Sequence, residues 1–145
     1  MRRLLLPLLL AACSKTPVDR EAAVRATVTA IEEAVEARDI DAVVEHLTAD
    51  FRANDERLAD VRRLLQLHFL RQGSIHALVR IQSLTFPAQD RAAVQLSVAV
   101  AGTPLPEDGL LDGLGADLID VDLLLARDGE AWKAHQAKWA RRPVW

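Results

Sequence analysis

Asp122 and His135 lie at equal distances on either side of Asp128-Gly129, the strongest short hairpin signal in the chain. If those two residues form the turn, Arg127 faces Glu130 and Asp122 faces His135. A carboxylate beside an imidazole orients the ring and raises its pKa, which a general base uses. Opposed charges on a wet sheet face serve equally well as cross-strand stabilisation of ~0.2–1 kcal/mol. In this register Leu125 opposes Trp132, Leu123 opposes Ala134, Val121 opposes Gln136 and Ile119 opposes Lys138. The aliphatic residues make that face the inner one. Trp132, Gln136 and Lys138 then become ligand-binding candidates, a few polar groups among apolar ones. The alternative is that Lys138 stands at a strand end and snorkels to water. A slip of one residue would exchange the faces and carry His135 to the pocket side.

Other chemistry-bearing residues are few. His46, His68 and His76 stand apart without metal-ligand spacing, so neither a metal nor a cofactor is expected. His68 falls on an apolar helical stretch, where it is read as a core or pocket-edge histidine and a candidate acid or base. The sequence contains neither a phosphate-cradling glycine loop nor a nucleophile elbow. The chain has one cysteine and no tyrosine.

The elements that must place these groups follow from periodicity. Thr16 as N-cap and Pro17 at the first helical position start a helix. Val24, Val28, Ile31 and Val35 form its apolar stripe. Asp39 caps a shorter helix with Ile40, Val43, Val44 and Leu47 inward. A third helix starts at Asn54 or Asp55, carries Leu58, Val61, Leu64, Leu65 and Leu67 to Leu70, and stops at Gly73. Its leucine content makes it the most buried of the three. After Gly73 the period changes to two. Residues 75–82, 92–100, 118–126 and 131–139 read as strands with one wet and one dry face. Helices first and antiparallel strands afterwards give an α+β class. Residues 102–117, "GTPLPEDGLLDGLGAD", read either as a functional lid or as surface loop.

The beginning of the chain sets the compartment. Arg2 and Arg3 precede nine uncharged residues, Leu4 to Ala12, about half of what spans a bilayer. A basic start, a short apolar run and small residues before a cut site describe a secretory signal. Leu10-Ala11-Ala12-Cys13 resembles the bacterial lipobox. That resemblance implies removal of residues 1–12 and acylation of Cys13, with residues 13–17 as a tether and 18–145 as one domain. The lipid anchor then holds the protein on a membrane, and Ser14 after the cysteine favours the periplasmic face of the outer membrane. Losing Arg2 and Arg3 shifts the net charge from −3 to −5. A mildly acidic domain argues against nucleic-acid binding and against electrostatic adhesion to anionic lipid.

The order of helices and strands, with "ARDIDAVVEHLTADF" and "DGEAWKAHQAKW", resembles the nuclear transport factor 2-like superfamily of ketosteroid isomerases and polyketide cyclases. The resemblance spans roughly residues 18–140. It implies a cone, cystatin-like in outline: helices in the concave face of a curved antiparallel sheet, with a pocket at the open end. It places Asp50, just past the second helix, near pocket positions of enzymatic relatives. It also implies dimers formed through the outer sheet face. The tyrosine oxyanion donor of ketosteroid isomerases has no counterpart here. The function expected is a lipid-anchored accessory domain that binds a small apolar ligand or a partner, more a binder than an enzyme. The alternative is an isomerase, cyclase or hydrolase using His135, Asp122, His68 or Asp50.

Overall fold

The computed structural model describes residues 17–105 and 116–142. In chain order the elements are α1 (Pro17–Glu36), α2 (Ile40–Glu45), β1 (Leu47–Ala53), β2 (Glu56–Arg57), α3 (Leu58–Arg71), β3 (His76–Ala88), β4 (Arg91–Ala101), β5 (Asp117–Asp128) and β6 (Ala131–Arg141). The class is α+β. Three helices pack on one curved six-stranded sheet of order β2-β1-β6-β5-β4-β3. Residues 1–16, which include the segment expected to be a signal and Cys13, lie outside the described residues, as do residues 106–115 of the expected lid or loop and residues 143–145. Among the described residues, no helix is long and apolar enough to cross a membrane.

α1 buries the stripe its spacing predicts: Val24 and Val28 enter the core, and Ile31 and Val35 pack at its margin. Its buried Thr27 hydroxyl shares its one proton between the Trp132 carbonyl of β6 at 3.0 Å and the Ala23 carbonyl at 3.3 Å. Arg38 then takes a left-handed conformation, φ 54°. Asp39 caps α2 by accepting from the Ala42 N–H at 3.1 Å, as its residue type foretells.

The expectations fail where distant strands intervene. Residues 47–53 are not the end of a helix but a strand, β1, running parallel to β6, with Leu47 opposite Ala134 and Arg52 opposite Gln136. The sheet is therefore mixed rather than wholly antiparallel. Leu47 and Phe51 are both buried and stand four apart, a helical spacing that β1 produces with an irregularity in its ladder. The third helix starts at Leu58, after the short β2, and not at Asn54 or Asp55, because the Asn54 turn (φ 52°) folds β2 back on β1. Nor is α3 the most buried helix. Phe69 is buried, but Leu64, Leu67 and Leu70 are 51%, 48% and 84% exposed. The sheet takes only one side of α3, and α1 occupies the centre.

The β5–β6 hairpin is also corrected. Asp128 pairs with Ala131, so Gly129 and Glu130 are the central turn residues, and Gly129 supplies the positive φ of 61° that such a turn needs. The turn thus moves by one residue. Leu125, Leu123, Trp132 and Ala134 still face inward, but Leu125 now opposes Ala134. Between Ala134 and Gln136 the register shifts, leaving His135 unpaired as a β-bulge. Beyond it the faces of β6 exchange. Ala137 and Trp139 oppose the inward Leu123 and Val121, while Gln136 and Lys138 oppose Leu124 and Asp122.

Candidate functional site

Inward side chains become steadily more exposed along the sheet. On β5, Leu125 is 0% and Leu123 8% exposed, with Val121 and Ile119 half-buried. On β6, Ala134 is 0%, Ala137 8% and Trp139 46% exposed. On β4 the inward residues pass from buried Val94 and Leu96 to half-buried Val98 and Val100, while Ala99 and Ala101 of the other face are buried. All three strands open toward one end, where β4 and β6 finish and β5 begins. The cone is thus closed around Trp132, which meets Phe86 edge-on at 6.0 Å between ring centroids; at the other end its apolar side chains become half-exposed, and Trp139 borders a surface cleft shared with Asn54, Asp120, Asp122 and Lys138. Arg20 sits over the outer side of Phe86, 3.9 Å from its centroid, and caps the closed end with a cation–π contact.

Trp139 is held in place by its backbone. Asn54 accepts from the Trp139 N–H at 3.1 Å and donates to the Trp139 carbonyl at 3.4 Å. Its side-chain amide so continues the β1–β6 ladder where β1 ends. Asn tolerates the left-handed backbone that this geometry requires. Neither Asn54 nor Trp139 was singled out by spacing. A turn-forming Asn-Asp pair was the available signal.

The four acid–base candidates separate. Asp122 faces Lys138 across the outer side of the sheet, away from His135. His68 is exposed on α3, its ring 6.4 Å from that of Phe69. His135 and Asp50 come together instead, Nδ1 to Oδ1 at 3.4 Å. Each lies at an irregularity: His135 is the bulge of β6, and Thr48 to Phe51 bow out of β1 between its two pairings with β6. Bulges re-aim side chains in this way. The Thr48 hydroxyl, buried and lacking a partner at full hydrogen-bond geometry, is the largest influence holding the Asp50 carboxyl below its usual range, with His135 adding to it. The pair is open to water, Asp50 75% and His135 39% exposed at the side chain.

The ligand candidates also part company. Trp132 is a buried core residue, whereas Gln136 is half-buried and Lys138 exposed, both on the outer face. Their facing is the reverse of expectation because the bulge inserts one residue between Trp132 and them. That outer face carries a groove of about 620 Å³ that Arg80, Ser97, Asp120 and Arg142 line together with Leu78, Ala99 and Leu118. Arg142 grips Asp120 there (Nε to Oδ2 3.3 Å) and reaches Ser97 Oγ at 3.2 Å. The Arg142 hydrogen bond lowers the Asp120 pKa, and Asp120 in turn raises that of Arg142. On α1, Glu32 is half-buried. Burial and then the neighbouring Glu36 raise its pKa against a hydrogen bond from the Val79 backbone. Among the described residues, His, Cys, Asp and Glu nowhere gather in groups of three able to hold a metal ion.

No protein-family model matches the chain, and no curated protein matches it in sequence. Solved structures do match. A Bdellovibrio bacteriovorus protein, Bd1075, superposes with a TM-score of 0.71 at 14% identity over 89% of this chain and 44% of its own, so the chain spans less than half of that protein. A putative dehydratase of the nuclear transport factor 2-like family from Streptomyces avermitilis gives 0.68 at 18% identity, covering 89% and 100%. A putative aromatic ring hydroxylase from Novosphingobium aromaticivorans gives 0.68 at 19% identity, covering 90% and 94%. At such identities the likeness establishes the fold, a nuclear transport factor 2-like cone, and leaves activity to the site itself.

Proposed function

We propose that this chain is a lipid-anchored cell-envelope protein whose cone binds a small apolar ligand at its open end. The observation that supports this reading is the gradient of exposure along β4, β5 and β6, ending in the half-exposed Trp139. An apolar rim with one positioned aromatic suits a compact hydrophobic molecule. The titratable pair of the molecule stands outside that rim, in water. Anchoring rests on the N-terminal sequence, where Cys13 follows a basic and then apolar run. The periplasmic face of the outer membrane is the expected address.

Native mass spectrometry of envelope-purified protein tests the ligand. A co-purifying small molecule is expected, with Trp139→Ala binding it roughly two- to tenfold more weakly. Protein that is free of ligand, or a ligand retained equally by Trp139→Ala, rejects the assignment. For the anchor, Cys13→Ser is expected to shift the protein out of the membrane fraction or leave the precursor uncut. Unchanged fractionation and processing reject it.

The second reading, an enzyme of isomerase, cyclase or hydrolase type, is favoured by the meeting of Asp50 and His135 at two facing irregularities. It requires a substrate that reaches the seam between β1 and β6 from the solvent side. A turnover abolished by both Asp50→Asn and His135→Ala, and unaffected by Trp139→Ala, would establish it.

A further inference from the structure

The solvent side of α3 is the least expected surface of the molecule. An exposed helix face is ordinarily polar, yet Leu64, Leu67 and Leu70 all stand on it and are half to mostly exposed. α3 carries Arg62, Arg63, Arg71 and His68 against a single acid, Asp60 in its first turn. Arg62 is engaged by Asp41 of α2 at 3.0 Å, whereas Arg63 and Arg71 are exposed. The chain as a whole is acidic, so its net charge conceals a local surface of the opposite sign.

We propose that α3 lies flat on an anionic lipid bilayer, with the three leucines in the interface and Arg63 and Arg71 at the headgroups. The exposed arginines favour an anionic surface as the occupant, and the leucine spacing is wide enough to meet a plane. Residues at i, i+3 and i+6 fan out over about 120° of a helix, whereas a partner helix is met by a narrow seam. Arg63 and Arg71 stand on the same face at its two ends, where their stems can bury while their heads reach outward to anionic headgroups. Each basic residue near an anionic surface adds attraction that salt screens. Beside Leu70 the apolar surface continues into a cleft floored by Phe69 and Ile40, between α3 and the end of α1. This contact adds to the proposed acyl anchor and does not depend on it.

The test uses the full chain as Cys13→Ser, which removes both the acylation site and the only native thiol. An environment-sensitive fluorophore is attached at Leu67→Cys or, as control, at Gln89→Cys in the β3–β4 turn. Vesicles of phosphatidylethanolamine with or without phosphatidylglycerol are then titrated in. A blue shift at position 67 and not at 89, seen only with the anionic lipid and weakened about tenfold or more by Arg63→Gln with Arg71→Gln, is the expected result. Equal shifts at both positions, or none at 67, overturn the proposal. So does a vesicle-free shift at 67 that grows with protein concentration, which identifies a second copy as the occupant. Both arginines are on the solvent side, and unchanged thermal unfolding of the double variant checks that it folds. Membrane fractionation of Cys13→Ser reads the acyl anchor separately, so either idea can fail alone.

Discussion

The two ends of the cone are built from the same strands and meet opposite demands. At the closed end Leu125, Val94 and Ala134 are sealed, and Thr27 and Trp132 tie α1 to β6 through a buried hydrogen bond. At the open end the same strands present Val98, Ile119, Val121 and Trp139 to partial solvent. Burial, and hence stabilisation, concentrates at one end, and the other keeps apolar surface that stability does not require. The His135 bulge separates the two ends, since it alone turns Ala137 and Trp139 inward.

Three substitutions probe this division, in descending order of effect. Leu125→Ala is expected to destabilise by about 3 kcal/mol, because the site is fully enclosed and leaves a cavity; urea unfolding measures it. A loss below about 1 kcal/mol would show that the closed end repacks and is no different from the rim. Asn54→Ala removes both bonds to Trp139 and puts alanine in a left-handed backbone. A loss of about 1–2 kcal/mol is expected, with Trp139 emission moving to the red. Trp139→Ala itself should cost stability little, under about 1 kcal/mol, while weakening the ligand. A large stability loss would make Trp139 a core residue and erase the contrast.

The smallest effect belongs to Glu32. Its pKa is raised in the folded state, so the native protein holds its proton more tightly than the unfolded chain does. Stability from this group is therefore present at low pH and lost as pH rises through the folded pKa. Glu32→Gln should raise stability at pH 7 by a few tenths of a kcal/mol, allowing for solvent screening, and leave it unchanged near pH 3. Asp50 has the opposite sign. Its lowered pKa contributes stability above the unfolded value that fades as pH falls through the folded one, so Asp50→Asn should matter at pH 7 and not at pH 2.

Local signals in the chain were legible where neighbours in sequence are neighbours in space. Asp39 caps α2, Val24 and Val28 mark the buried side of α1, and the alternation at Ala92 to Val98 marks the inner face of β4. Asp128-Gly129 foretold a hairpin but not which pair of residues turns. Both Asp50 and His135 stood among the acid–base candidates, but their meeting was not foreseen. His135 was matched to Asp122, which a regular ladder would give. A bulge adds one residue without any distinctive residue type, and its consequence, the reversal of Gln136, Lys138 and Trp139, extends along the rest of the strand.

By itself, then, the sequence determined the α+β class, the Asp39 cap of α2, the buried stripe of α1 and the alternation of the strands after Gly73. Each depends on side-chain pattern within a few residues. The tertiary structure alone decided the parallel pairing of β1 with β6, the contact of Asp50 with His135, the exposure of the α3 leucines and the inward turn of Trp139. These rest on register between strands far apart in the chain. Register is chosen by the packing of the whole sheet against α1, a sum over many contacts that no short stretch of sequence contains.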